Sequence, residues 1–265
     1  MLIFKREIRA HFRSTIFWCA GIMFLVFAGM GKYEAGISSG ENTMTELFNT
    51  LPDSLKSIFG IGVFDLSRAV EYYAVLFLYV GLMLALQSCM LASSIITKEE
   101  RDRTLEFLLV KPISRFRILS EKLLATLTIS VLILLLTYGL SIVSLLRYAP
   151  WTEFSSELFL LMCSGFFLQL IFLSIGAFFG GSLKRPKLAT AISSGILLFM
   201  YFLSMIVDLS KDLSFLRFLT FFKYYDAKDI LISGHWPGYV ILSLSVSSLL
   251  LYGAFHFYQK RDMKI

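Results

Sequence analysis

At 265 residues, with 57% hydrophobic residues, 26 Phe and a mean hydropathy of +0.72, the chain lies outside the composition of soluble globular domains. Its three cysteines, Cys19, Cys89 and Cys163, all fall in apolar runs and are odd in number, which argues against a disulfide framework. The net charge of +6 is explained by where the basic residues sit, as shown below, and calls for no nucleic-acid partner.

Six runs lack any Asp, Glu, Lys or Arg: 14–31, 72–97, 123–146, 158–183, 188–207 and 237–258. A spanning helix needs roughly 20 apolar residues to cross about 30 Å of hydrocarbon, so each run predicts a membrane span. The expected fold class is all-α: a polytopic membrane protein of six transmembrane helices in one permease-like domain over 1–265. The segment 32–71 is long enough for a small cap only.

Before the first run, Phe4, Ile8, Phe12 and Ile16 recur at i+4 among Lys5, Arg6, Arg9 and Arg13. That pattern predicts an amphipathic N-terminal helix lying at the interface, its basic residues near anionic lipid heads. A secretory signal is disfavoured, because no clear A-x-A site follows the apolar run.

Basic residues near the ends of spans stay preferentially in the cytoplasm. With both termini inside, 17 of the 25 basic residues are cytoplasmic, giving a net charge of +10 on that side and −4 on the other. The placement expected is therefore a multi-pass protein of a plasma membrane with both termini cytoplasmic.

Motifs for chemistry are missing from the sequence. It contains no G-x-x-x-x-G-K-[ST] loop, no H-E-x-x-H and no Cys/His cluster, so no nucleotide site, metal site or nucleophile assembles. An intramembrane enzyme is disfavoured by the absence of paired acids in the spans. Ion-driven transport usually places ionisable groups within spans, and these runs have none. Their polar residues are weak ones, chiefly Gln87, Ser88, Ser93 and Ser94 in the second run and Gln169 and Ser174 in the fourth. Interhelical hydrogen bonding is the favoured role for these, and a place on a translocation path is the alternative. Gly176 and Gly180, joined by Gly181, form a small-x-x-x-small pair expected to pack within the subunit rather than between subunits.

The most specific local signal is K-E-E-R-D-R-T-L-E-F-L-L-V-K-P-I-S-R-F-R-I-L at 98–119. Leu105, Leu108 and Leu109 make an i, i+3, i+4 apolar edge, while Glu99, Glu100, Arg101, Asp102, Arg103 and Glu106 line the rest of a short helix. Pro112 should stop that helix near Val110, and Ser114 is placed to cap the helix that enters the third span. A plain solvated loop needs no leucine stripe, whereas a docking helix needs an apolar edge to bury and charges to fix register on a partner.

On this segment the chain resembles the permease subunits of type-2 ABC exporters, six-span bacterial permeases that work with separate ATPase subunits. The likeness covers nearly the whole chain. Its most specific part is the Glu-rich start, Thr104-Leu105-Glu106, the paired leucines, a basic residue, Pro112 and Ser114-Arg115, with Arg103 where the family commonly has Gly. L-P-D-S-L-K-S-I-F-G at 51–60 and F-K-Y-Y-D-A-K-D-I at 222–230 resemble the family's outer segments, although Phe221 stands where Pro is usual.

The resemblance implies two permeases facing each other, identical or sister chains, over two ATPases that bind the ATP and Mg. The permease itself would hold no cofactor and hydrolyse nothing. A coupling helix at 99–110 would carry Glu99, Glu100, Arg101, Thr104, Leu105, Glu106, Leu108 and Leu109 to the ATPase. Gln87, Ser88 and Gln169 are the candidates for the substrate path. Short re-entrant helices within 213–236 would close the outer side, with Phe215, Phe218, Phe221 and Phe222 as gate residues or as simple interfacial anchors like Trp151 and Trp236. A charge-free interior with 10 Met and 26 Phe suits an amphipathic or lipid-like cargo. The competing class is a membrane scaffold or sensor that tethers a soluble partner and moves nothing.

Overall fold

A computed structural model describes residues 2–38, 68–102, 104, 113–209, 211–233 and 237–261. Among these, all regular structure is helical, and six helices are long and apolar enough to cross a membrane. They are α1 (Leu2–Ser38), α2 (Ala69–Ile96), α4 (Arg115–Leu145), α5 (Trp151–Ser182), α6 (Pro186–Leu209) and α9 (Pro237–Lys260). Between them lie α3 (Lys98–Arg101), a 3₁₀ helix (Lys211–Leu219), α7 (Phe221–Tyr224) and α8 (Ala227–Ser233).

Local sequence explains several starts. Ser114 Oγ accepts from the Arg117 backbone N–H at 3.3 Å, the cap its position predicts for α4. Pro186 and Pro237 are the first residues of α6 and α9, where a missing N–H costs nothing.

The leader and first span are one helix rather than two. With no Pro between residues 2 and 38, nothing interrupts the backbone ladder, and 37 residues extend about 55 Å. Along the leader stripe, Phe4 and Ile8 pack against the bundle, whereas Phe12 and Ile16 are exposed.

The helices α2 and α5 run side by side through the centre. Three glycines of α5 set this spacing. A Cβ on Gly176 would lie 2.3 Å from the Cys89 carbonyl oxygen, and one on Gly180 would lie 3.2 Å from Ser93 Cα. Gly181 makes the corresponding approach to α9, where a Cβ would stand 2.9 Å from the Ala254 carbonyl oxygen. Small residues let helix backbones come this close, so the pair predicted at 176 and 180 seats α5 on α2 within the subunit. Large apolar side chains such as Phe17, Phe24, Phe199, Ile241 and Leu249 point outward, as a lipid-facing surface requires.

The start of α1 and Arg261, just beyond α9, lie at one end of the bundle, called the basic end here, together with α3, the first turns of α4 and the end of α5. The opposite end carries an aromatic group in which Tyr33 meets Tyr72 and Tyr148 with ring centroids 5.0 and 5.2 Å apart. Rings of this kind favour a membrane–water boundary.

Candidate functional site

At the basic end, helix termini are satisfied by charged side chains from neighbouring elements. The last carbonyls of a helix lack intrahelical partners and carry partial negative charge, so cations suit them. Lys122 of α4, fully buried, donates to the Ile95 and Ile96 carbonyls at 2.7 and 3.2 Å and so closes α2. Arg261 donates to the Gly180 carbonyl at 3.2 Å near the end of α5, and Arg115 donates to the Gln259 and Arg261 carbonyls at 3.0 and 2.9 Å. With the polarity reversed, Glu121 accepts from the Ile3 and Phe4 N–H groups at 3.2 and 3.3 Å at the start of α1.

The short helix α3 enters this arrangement through three consecutive side chains. Lys98 donates to Glu7 of α1 at 3.0 Å. Glu99 pairs with Lys122 of α4 and accepts from Arg6 at 2.5 Å. Glu100 pairs with Arg261 just beyond α9; burial pushes the Glu100 carboxyl above the usual carboxylate range, and Arg261 draws it back. Glu7 is itself buried and accepts a second bond from Arg6 at 2.5 Å.

This geometry departs from the expected single helix over 99–110. The helix ends at Arg101, Asp102 sits in a turn, and the Thr104 N–H reaches back to the Glu99 carbonyl at 2.9 Å. The physical cause is the three-way anchoring of residues 98–100, which draws α3 down onto the bundle. Glu99 and Glu100 therefore face inward rather than along an outer docking edge. Arg101, which pairs with Asp102 at 3.1 Å, and Thr104 are exposed. Leu105, Glu106, Leu108 and Leu109, like Pro112, lie outside the described residues.

The three residues read as a substrate path are buried between α2, α4 and α5. Gln87 Oε1 accepts from Ser88 and Ser130 at 3.4 Å, and Gln169 Nε2 donates to the Ser130 carbonyl at 3.4 Å. These long bonds join three helices of one subunit, which fits the interhelical role better than an open channel. Ser93 makes a further link, donating to Thr190 of α6 at 3.1 Å.

At the opposite end, the 3₁₀ helix, α7 and α8 fold back over α2, α5 and α6. Lys223 donates to Asp208 at the end of α6 at 2.6 and 2.7 Å, and to Asp226 at 2.5 Å. Burial disfavours the Asp226 carboxylate, but Lys223 and Lys228 bring it below the usual range. Tyr225 shares a hydrogen bond of 2.7 Å with Ser243 of α9. The four candidate gate phenylalanines separate into two pairs. Phe215 and Phe218 are exposed on the 3₁₀ helix, while Phe221 and Phe222 pack against Phe172, with centroids 6.2 and 5.2 Å away. A crevice beneath them is lined by Ala74, Phe77, Leu78, Leu168, Lys223 and Tyr225, among others.

A family model described as ABC-2 family transporter protein matches residues 1–235. The chain belongs to this family. No curated protein matches it. The permease is thus the membrane-spanning subunit of an ABC transporter, works with a separate ABC ATPase subunit and is not itself that ATPase.

Several residues of the permease's basic end escape a reading of sequence alone: Arg6, Glu7, Lys98, Lys122, Arg115 and Arg261. Lys122 stands one position before the apolar run 123–146 and reads as a solvated flank. Because α4 begins at Arg115, Lys122 is instead enclosed. One signal was available: Glu7 is the single acid in a basic leader, and a lone acid among cations needs a reason.

Proposed function

We propose that this permease is the transmembrane half of an exporter that moves an amphipathic or hydrophobic substrate, such as a peptide, toxin or antibiotic, out of the cell. Two ATPase subunits binding ATP and Mg drive it, and a second permease, identical or sister, completes the path. The whole chain acts as one permease domain in a bacterial plasma membrane, its exposed apolar faces against lipid.

The observation that carries this reading is the family match over residues 1–235, and the distribution of charge supports its details. The charged side chains described gather at the two ends of the bundle, so the interior offers apolar surface and a few amides and hydroxyls to a cargo. Such a lining suits amphiphiles entering from the membrane, and it leaves the driving force to the ATPase.

The direct test is ATP turnover by the purified permease–ATPase complex in proteoliposomes, with and without an amphipathic peptide. Stimulation together with ATP-dependent accumulation of the peptide in inside-out vesicles is expected. A bound ATPase without either response favours the scaffold reading.

Docking is assigned to Leu105, Leu108 and Leu109, with Arg101, Thr104 and Glu106 at the rim. Burying two leucines at an interface contributes about 3–6 kcal/mol before association costs. Leu105→Ser combined with Leu108→Ser should abolish co-purification of the ATPase, while Glu100→Ala should preserve it, since Glu100 faces Arg261. Equal retention by both variants refutes the assignment.

Both termini and residues 98–122 are placed in the cytoplasm, with 32–71 and 209–236 outside. In a background lacking the three native cysteines, an impermeant thiol reagent added to intact cells should label Thr45→Cys and spare Glu106→Cys. The reverse pattern inverts the topology.

A further inference from the structure

We infer that the junction of Gln87, Ser130 and Gln169, deep among the spans, is a binding site for one ordered water molecule that ties α2, α4 and α5 together. The site holds these helices whatever the permease moves, and its three residues position helices rather than line a conduit.

By the 1.5 Å rise per residue, each of the three lies at least about 13 Å from the nearer end of its helix, and none is more than 2% exposed. Polar groups so enclosed find partners in the protein or in trapped water. The protons here fall short of the acceptors. Ser88 has one hydroxyl proton, and the Leu84 carbonyl at 2.8 Å takes it ahead of Gln87 Oε1 at 3.4 Å. Ser130 also has one, and it faces Gln87 Oε1 at 3.4 Å. Thr126, one turn away on the same face of α4, gives its proton to the Lys122 carbonyl at 3.0 Å. Gln169 Oε1 is left buried and accepts from nothing among the described residues.

Turning the Gln169 amide over does not cure this. Its oxygen would then face the Ser130 carbonyl, to which Nε2 now donates at 3.4 Å, and two acceptors would oppose each other. All three bonds of the junction are long against a usual value of about 2.7–3.0 Å, so the side chains do not close fully on one another. A water is the donor that fits. It brings two protons to a junction that lacks one, its oxygen accepts in turn, and so enclosed a place admits it in preference to a larger cargo group.

The chain has three glutamines, Gln87, Gln169 and the exposed Gln259, so isotope labelling of glutamine alone yields three side-chain amides. The full-length permease in lipid nanodiscs is measured by solid-state NMR for magnetisation passing from water to each amide. Gln87→Met and Gln169→Met assign the two buried signals; if neither variant accumulates, added serine labelling marks Gln87 through its neighbour Ser88. Transfer to Gln259 should grow with pH, because its amide protons exchange with bulk water under base catalysis. Transfer to Gln169 should be present and independent of pH, as contact with a held water requires. Silence at Gln169 overturns the site. So does a Gln169 signal that shifts when an amphipathic peptide is added, which gives the missing donor to cargo.

The melting temperature of Gln169→Met supplies a second reading by its sign. Without the water, the variant removes a bare buried acceptor and one long bond, so melting should rise or stay in place. With the water, the variant strands the water's remaining partners and melting should fall, by less when Gln87→Met is already present. An unchanged or raised melting temperature overturns the site.

Discussion

Gly176→Leu is expected to abolish the stable fold of the permease or to lower its melting temperature in detergent more than any other single change in α5. The Cβ it adds would stand 2.3 Å from the Cys89 carbonyl oxygen and 3.0 Å from the carbonyl carbon, both backbone atoms. A side chain in the way can rotate, but a helix backbone cannot, so α5 would have to lift away from α2. That separation breaks a contact continued by Gly180 on Ser93 and Ile96. Overpacking a tight core costs about 1–3 kcal/mol and occasionally more, and the upper end applies here because the obstruction is backbone on both sides. The gain of about 1 kcal/mol from removing a helical glycine does not offset it. Gly180→Leu should show the same effect more weakly. Gly195→Leu on α6, where a Cβ meets open space, should leave the melting curve in place. Equal melting of the Gly176 and Gly195 variants would refute the packing account.

Lys122→Met is expected to be the most damaging charge removal, at about 3–5 kcal/mol of stability, a typical loss when one partner of a buried pair is deleted. Two deficits add. Among the described residues Glu99 keeps Arg6 alone, and the Ile95 and Ile96 carbonyls lose the ammonium that closes α2. Burying such groups without partners is costly because no water replaces the lost bond. Removing the partly exposed Arg6 instead should cost much less, since its guanidinium remains in contact with solvent in the intact protein. Thermal melting of the purified variants in one detergent checks both. A Lys122→Met protein that melts with the parent would mean that water enters the site and solvates Glu99.

The Ser114 cap illustrates what was legible. An Oγ three residues before a donor N–H, just after a proline, is a local arrangement, and it forms at 3.3 Å as expected. The glycine pair was legible for a related reason: only small residues allow backbones to touch, and the 176/180 spacing puts both on one helix face. The inward turn of Glu99 and Glu100 was not legible. Their local pattern is a charged helix edge, and the groups that draw them inward stand at Lys122 and Arg261, 23 and 161 positions away along the chain. The division of the four phenylalanines has the same origin: Phe222 is buried by Phe172 and Tyr201, while Phe218 four residues earlier stays exposed.

By itself, the sequence determined that this is a six-span helical membrane protein of the ABC-2 type. Hydrocarbon demands long charge-free helices, and that demand is written directly in composition and run length. It also placed the charge asymmetry between the two ends, because that asymmetry is a count of residues. Which charges are solvated and which are enclosed depends instead on how the helices pack. The partners that pay for burying Glu7, Glu99 and Lys122 come from α1, α3 and α4 together, and an ion pair exists only where separate helices bring its members within reach.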